Sequence, residues 1–399
     1  MKPQTRNFLL LGGAVGVAVA IFEIAFLTLI HFPVLLYGLP KIVVDNVCIA
    51  YRNSSAVIQL EPASARFDTG IAYTLRPGRF VFSGIEFKNE YFVNTMGLRD
   101  TEDALHKPRV IVLGDSWAMG WGVNQGEVFA KVFEKKSGLK VLNAAISSYG
   151  TAREIMMVRR LDTSNLKYLI IQYYENDYWE NMLYYLNNNK LPADIIARNY
   201  QLAINRYQKQ KGYFPGKYTV GFIADKIHKV SAWIVARKNQ GKPQKGIIFS
   251  NQDSRTRPFC QVKISYDRDI QNFFSMDQSA RAFLDKNKGI EYFYIDQDEC
   301  DLFLNVLLTA GIDFSNIQII TLAWAKEDER FLQALKEKIK KGDYPAYIKG
   351  MILLNMASVL PASDLYILDG HPKASAHKVV ADAIINVVKS NSYNDFSRP

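Results

Sequence analysis

Cysteine is scarce in this chain, with three in 399 residues, at positions 48, 260 and 300. That is too few for a disulfide-stapled scaffold and does not make a zinc motif; spacing leaves open only a single Cys260–Cys300 bridge. Histidine is nearly as rare, with five residues. Any chemistry that needs an imidazole must choose among His31, His106, His228, His371 and His377. No internal repeat and no long low-complexity tract is present, only a polar stretch, "RKNQGKPQKG", that reads as a loop. A hydrophobic content of 48% with 13% aromatics rules out a disordered chain and is enough for one large domain or two ordinary ones.

Residues 8–30, "FLLLGGAVGVAVAIFEIAFLTLI", hold a single charge, Glu23. At about 1.5 Å per residue this run is long enough to cross a hydrocarbon layer of roughly 30 Å. Lys2 and Arg6 precede it, so the positive-inside tendency keeps the N-terminus cytoplasmic and sends the bulk of the chain to the periplasmic or extracytoplasmic side. A cleaved signal peptide is the rival, because "AVA" at 18–20 has the small-x-small pattern; the apolar run continuing past it favours an uncleaved anchor over residues 1–40. Glu23 inside such a span calls for a partner or an interface.

Acidic residues are missing where basic ones gather. Between Leu186 and Ser250 stand twelve Lys or Arg against Asp194 and Asp225, so this segment alone equals the formal excess of +10 in the whole chain. Within it, Phe222, Ile223, Ile227, Val230, Trp233 and Ile234 fall near helical spacing, with Lys226, Lys229, Arg237 and Lys238 elsewhere around the turn. Two readings of this basic amphipathic helix stay open. It packs on the domain with a solvated basic face, or the basic region 190–245 contacts anionic lipid, an acidic glycan or a protein. Nucleic acid is not expected across a membrane from the genome.

Residues 41–105 read as a β-rich lead-in with a turn at "LRPGRF". From Arg109 the pattern changes to short apolar runs, "RVIVLGDS", "LKVLNAAISSYG", "LKYLIIQYYEND", "NIQIITLAW" and "DLYILDGHP". Helical segments alternate with them, which predicts an α/β domain on a parallel sheet from residues 106–185 and 312–399, interrupted by an insertion at 186–311. Such sheets bind ligands at the carboxyl ends of their strands. The polar clusters fall there: Asp115 and Ser116, Ser147 and Ser148, Asn176 and Asp177, then Asp369 and His371.

A Gly-Asp-Ser at a strand end is by itself weak, since a turn with capping side chains has the same look. The rest of the set raises its value. Nucleophilic chemistry at Ser116 needs a base, a carboxylate to orient it and donors for the developing oxyanion. His31 belongs to the membrane end, His106 precedes the first core strand and His228 lies on the basic helix. His371, two residues after Asp369, is placed to act as the base; His377 falls inside a predicted helix as a surface or packing residue.

The stretches "VLGDSWAMGWGV", "NAAISSYGT", "YYENDYW" and "LDGHPKASAH" resemble blocks I, II, III and V of the SGNH, or GDSL-type, hydrolases, and "VNTMGLRD" resembles a segment that often precedes block I in membrane-anchored members. The resemblance implies a three-layer α/β/α sandwich. It also implies Ser116 as nucleophile, His371 as base and Asp369 as the residue that orients it, with the backbone N–H groups of Ser116 and Ser148 and the Asn176 amide as oxyanion hole. Neither metal nor organic cofactor is implied. The expected activity is an ester hydrolase or O-acyltransferase acting on O-acyl groups of a carbohydrate, or, alternatively, a catalytically silent scaffold subunit of a membrane assembly. Three positions depart from the family pattern: Ser148 stands where block II usually has Gly, Tyr174 replaces the Gly of block III, and block V reads Asp-x-His. A side chain at 148 is expected to demand an awkward backbone angle.

Overall fold

The computed structural model describes residues 3–174, 176–238, 299–324 and 328–395. Helix α1 (Pro3–His31) leads into α2 (Lys41–Arg52) and then into two antiparallel hairpins, β1 (Ala65–Asp68) with β2 (Ala72–Leu75) and β3 (Gly78–Ser83) with β4 (Lys88–Val93). Strands β5 (Val110–Leu113), β6 (Val141–Asn143), β7 (Tyr168–Tyr173), β8 (Gln318–Ala323) and β9 (Ile352–Asn355) form one parallel sheet in the order β6-β5-β7-β8-β9. Among and after them come α3 (Ser116–Met119), α4 (Phe129–Ser137), α5 (Thr151–Val158), α6 (Asp177–Leu186), α7 (Ala193–Gln210), α8 (Lys217–Lys238), α9 (Glu299–Leu308), α10 (Glu329–Lys341), α11 (Ala346–Lys349) and α12 (Ala374–Asp395).

The described residues divide into two units. One holds residues 3–55, 207–238 and Ile367–Gly370; the other holds residues 56–206, the described part of 299–366, and 371–395. The division cuts across the segment read as an insertion at 186–311, since residues 207–238 group with α1 while α9 belongs to the α/β unit.

In the α/β unit the strands alternate between two cores. Ile111 and Leu113 of β5 join Ile155 of α5, Phe303 of α9 and Leu335 of α10 on one side. Val110 and Val112 join Phe133 of α4 and Ile384 of α12 on the other. A strand with both faces covered needs apolar residues at every position, which is why β5 reads as an unbroken run rather than an alternation.

Helix α1 has a stretch, Leu10–His31, long and apolar enough to cross a membrane, with mean hydropathy 2.3. Its last turns are not bare: Phe26 and Ile30 are buried with Val44, Val47, Cys48 and Tyr51 of α2. The i, i+3, i+4, i+7 spacing of those four residues makes 41–52 a helix, correcting the reading of this part as extended chain. Helix α8 forms where the spacing predicted it, and turns Phe222 toward Phe26 of α1, with ring centroids 5.9 Å apart.

Two further expectations are corrected. "DLYILDGHP" is not a sheet strand: Leu365 and Pro372 form an isolated antiparallel bridge that closes a turn, and the fifth strand is Ile352–Asn355, whose four residues are only half-buried. The Cys260–Cys300 bridge is not made: the Cys300 thiol is buried in the α/β core outside any disulfide, 3.7 Å from the Phe331 carbonyl oxygen, and Cys260 lies outside the described residues.

The two-sided core gives a direct expectation. Ile384→Ala, at a fully buried position, should lower unfolding free energy by about 2–5 kcal/mol. Val359→Ala, at a position 55% exposed, should stay within about 0.5 kcal/mol. Urea unfolding of the full chain in detergent micelles, followed by tryptophan fluorescence, measures both.

Candidate active site

Strand β5 ends at Leu113 and hands the chain to Gly114, whose φ of 145° an L side chain rarely adopts. A Cβ here would sit 2.6 Å from Ala118 Cβ and from Gln172 Oε1. The close approach brings the next residue against β7: the Asp115 N–H donates to Gln172 Oε1 at 3.1 Å. The Asp115 carboxylate then accepts the N–H of Trp117 at 2.9 Å and caps α3. Ser116 is thereby set at the first position of α3, half-buried, at the end of a central strand.

The Ser116 Oγ lies 2.8 Å from His371 Nε2. His371 is held by aromatic packing rather than by the sheet. Its ring stacks on Trp121 at a centroid distance of 4.9 Å and 15° between planes, and it leans on Trp117 at 6.3 Å. Phe82 and Phe87 from the β3–β4 hairpin pack edge-on against Trp121. The backbone of the histidine loop is fixed by the Tyr366 N–H donating to the His371 carbonyl at 2.9 Å, and the Tyr366 hydroxyl donates to the Gly122 carbonyl at 2.7 Å.

The lead-in motif "VNTMGLRD" supports the same loop. Arg99, 1% exposed, donates through Nη2 to the Val123 carbonyl at 2.6 Å and through Nη1 to the Gly120 carbonyl, and its guanidinium lies over the Tyr91 ring. Asp100 ties in the second strand end, accepting the Asn143 N–H at 2.8 Å and the Lys131 ammonium at 2.6 Å. Burial pushes the Asp100 carboxyl up, and Lys131 and the Asn143 N–H pull against that.

Ser148, beyond β6, adopts φ +60°, the left-handed conformation that favours glycine, as a side chain at this position was expected to demand. Three side chains hold this turn. Gln59 Nε2 donates to Ser148 Oγ at 2.9 Å, the Tyr73 hydroxyl donates to the Ser147 carbonyl at 2.6 Å, and Arg153 Nη2 donates to the Ser148 carbonyl at 2.5 Å. Arg153 is itself fixed by Glu180, with Nε to Oε2 at 2.5 Å and its own N–H to Oε1 at 2.8 Å.

Asn176, beyond β7, opens α6; its Oδ1 is buried and has no hydrogen-bond partner among the described residues. Tyr174 packs on Trp117, with centroids 5.6 Å apart. Ser116, Ser148 and Asn176 therefore stand beyond the carboxyl ends of three neighbouring strands. Asp369 lies in the half-exposed turn before His371, within the Ile367–Gly370 segment that groups with the helical unit. There Leu368 is buried beside α2, and Arg52 Nε donates to its carbonyl at 3.3 Å.

His377 is excluded as a base. It is fully buried, its Nδ1 accepts the Phe129 N–H at 3.2 Å, and burial first, then the positive charge of Arg99, pushes it down to about 3. Burial also raises three acids around the strand ends. Asp115 rises to about 6, partly offset by the Trp117 N–H and by His371, while Glu154 and Asp177 rise well above the carboxylate range. Among the described residues no group of His, Cys, Asp and Glu is arranged to hold a metal ion.

Gln59, Tyr73, Arg99, Trp121, Arg153 and Gln172 were not legible as site residues from sequence. Trp121, Arg99 and Gln172 lay inside quoted stretches, but nothing in their spacing marked Trp121 as the platform for His371, Arg99 as the grip on the loop after α3, or Gln172 as the acceptor for the Asp115 N–H. No protein-family model matches the chain, and no curated protein matches it.

Two outcomes follow. Ser148→Gly relieves a left-handed side chain worth roughly 1–2 kcal/mol and loses a hydrogen bond worth about 1 kcal/mol, so stability should change little; Ser148→Ala loses the bond and keeps the strain, and should cost about 1 kcal/mol. Chemical unfolding of both variants decides this. For Asp115 the folded state keeps its proton longer than the unfolded chain, so its contribution to stability is lost as pH rises from about 3.8 to about 6. Asp115→Asn should flatten that part of the melting-temperature profile, measured from pH 3.5 to 7.

Proposed function

We propose that the chain is a membrane-anchored serine esterase or O-acyltransferase of the SGNH type, acting on O-acyl groups such as O-acetyl of an extracytoplasmic polysaccharide. The observation that carries the reading is the 2.8 Å approach of His371 Nε2 to Ser116 Oγ across 255 residues of sequence. That distance is within reach for proton transfer to a neutral imidazole as the hydroxyl attacks an acyl carbon.

In this reading His371 takes the Ser116 proton, the serine oxygen bonds the acyl carbon, and the tetrahedral oxyanion is met by the N–H groups of Ser116 and Ser148 and by the Asn176 amide. Collapse returns the proton from His371 to the leaving sugar oxygen and leaves an acyl-enzyme. Water or a second hydroxyl, deprotonated by His371, then releases the acyl group. Asp369 is assigned the role of orienting the imidazole. The Trp121 platform limits ring motion in the same sense, by stacking rather than by charge. Helix α1 serves as the uncleaved anchor, with the α/β unit outside the cytoplasm.

A serine-directed fluorophosphonate tests the reading before a substrate is known. The full chain in detergent should label covalently, Ser116→Ala should not label, and His371→Ala should label at least about 100-fold more slowly. A folded wild-type chain that stays unlabelled, or a Ser116→Ala variant that labels like wild type, would favour the scaffold alternative.

A further inference from the structure

Glu23 stands within the apolar stretch of α1 and is 5% exposed. Its carboxylate accepts the Thr219 N–H and hydroxyl, both at 2.9 Å, and the Tyr218 N–H at 3.3 Å. These are the unpaired donors of the first turn of α8, so the intramembrane acid acts as a helix cap supplied by another segment. The Tyr213 hydroxyl donates to the same carboxylate at 3.3 Å.

The contacts run in step. A Cβ at Gly216 would lie 3.7 Å from Val19 Cγ1, Thr219 meets Glu23, and Phe222 meets Phe26. Helix α8 therefore starts deep alongside α1 and ascends parallel to it. Glu23 precedes His31, the end of the apolar stretch, by eight residues, which at 1.5 Å each is about 12 Å.

The outer face of α8 is apolar as well. Val220, Ile223, Ile227, Val230 and Ile234 follow steps of three and four and are 43–64% exposed. Tyr213 and Phe214, in the loop before the helix, are 54% and 51% exposed. A helix apolar on both faces is not built for water on one of them. On α1, Ile21, Phe22 and Ile24 continue the exposed apolar surface at the level where α8 begins.

We infer that residues 213–227 form a second membrane-inserted element, entering the outer leaflet beside α1, with the stripe Val220, Ile223 and Ile227 facing lipid acyl chains. Lipid, rather than a second protein, is the occupant because this face is continuous with that of the span itself and shares its depth. The inference rests on α1 spanning the bilayer. Away from this stripe, Lys226 Nζ donates to Asn46 Oδ1 of α2 at 3.0 Å.

Nitroxide labels on Phe214→Cys, Ile223→Cys, Ile227→Cys and Ile234→Cys test this in the full chain, reconstituted in phosphatidylcholine vesicles containing phosphatidylglycerol. Phe22→Cys reports the span, Lys135→Cys reports water, and the unsubstituted chain sets the labelling background. The expected result is high oxygen and low nickel-chelate collision at 214 and 223, with apparent depth falling from 214 through 223 and 227 to 234. Nickel access at 214 and 223 equal to that at 135, or shielding from both probes as in a protein–protein seam, overturns the inference. If the label at 22 is itself open to nickel, the spanning reading has failed instead.

Discussion

Burial of β5 on both faces is the constraint from which the position of Ser116 follows. Val110 to Leu113 are each 0% exposed, all four pair with β7 and the first three also with β6, so the strand has no freedom to shift register by one residue without exchanging its two cores. Its carboxyl end is also where the connection order reverses, since the next strand in sequence joins on one side and all later strands join on the other. Helices leave such a point in opposite directions and open a crevice above it. Gly114 lets the backbone pass Gln172, and the Asp115 cap turns it, so the serine is delivered to that crevice by backbone geometry alone.

Neither the imidazole nor the β6 turn is held so simply. His371 sits on a turn rather than on a strand, and its orientation is set by the Trp121 face, by the hairpin aromatics behind that face and by Arg99 gripping the carbonyls that follow α3. At the β6 end, Ser148 occupies a conformation worth roughly 1–2 kcal/mol against any residue with a Cβ. Three hydrogen bonds, from Gln59, Tyr73 and Arg153, over-determine the turn and keep it there.

What the sequence disclosed divides along physical lines. The sheet was legible where strands are buried on both faces, because two-sided burial writes an unbroken apolar run, and four of five strands were found so. β9 escaped because its four residues are only half-buried, while "DLYILDGHP" imitated a strand with apolar residues that serve two different purposes: Leu365 and Tyr366 in the turn, Leu368 beside α2. Ser116 and His371 were named from ordered motifs, and the structure brings them together. The supporting residues were not legible because Gln59, Tyr73 and Arg99 act across sequence separations of 20 to 90 residues, so that even the stretch "VNTMGLRD" gave no sign of what its arginine would hold. Glu23 was marked as needing a partner, yet only the fold reveals that the partner is the end of a helix almost 200 residues later.

Charge around the strand ends adds a last constraint. A serine attacking an acyl carbon generates negative charge at the carboxyl edge of the sheet, and ionised acids nearby oppose it. Asp115, Glu154, Asp177 and Glu180 all lie in this region and are all less than a tenth exposed. Glu180 is neutralised by Arg153 at 2.5 Å. Burial first, and then the neighbouring acids, raise Glu154 and Asp177 well above the carboxylate range, and Asp177 accepts the Thr151 hydroxyl at 2.6 Å. Burial raises Asp115 less far, to about 6, with the Trp117 N–H and His371 pulling against the rise. The burial that positions the serine thus also raises the acids behind Asn176, which lessens the negative charge they hold against an oxyanion formed at the strand ends.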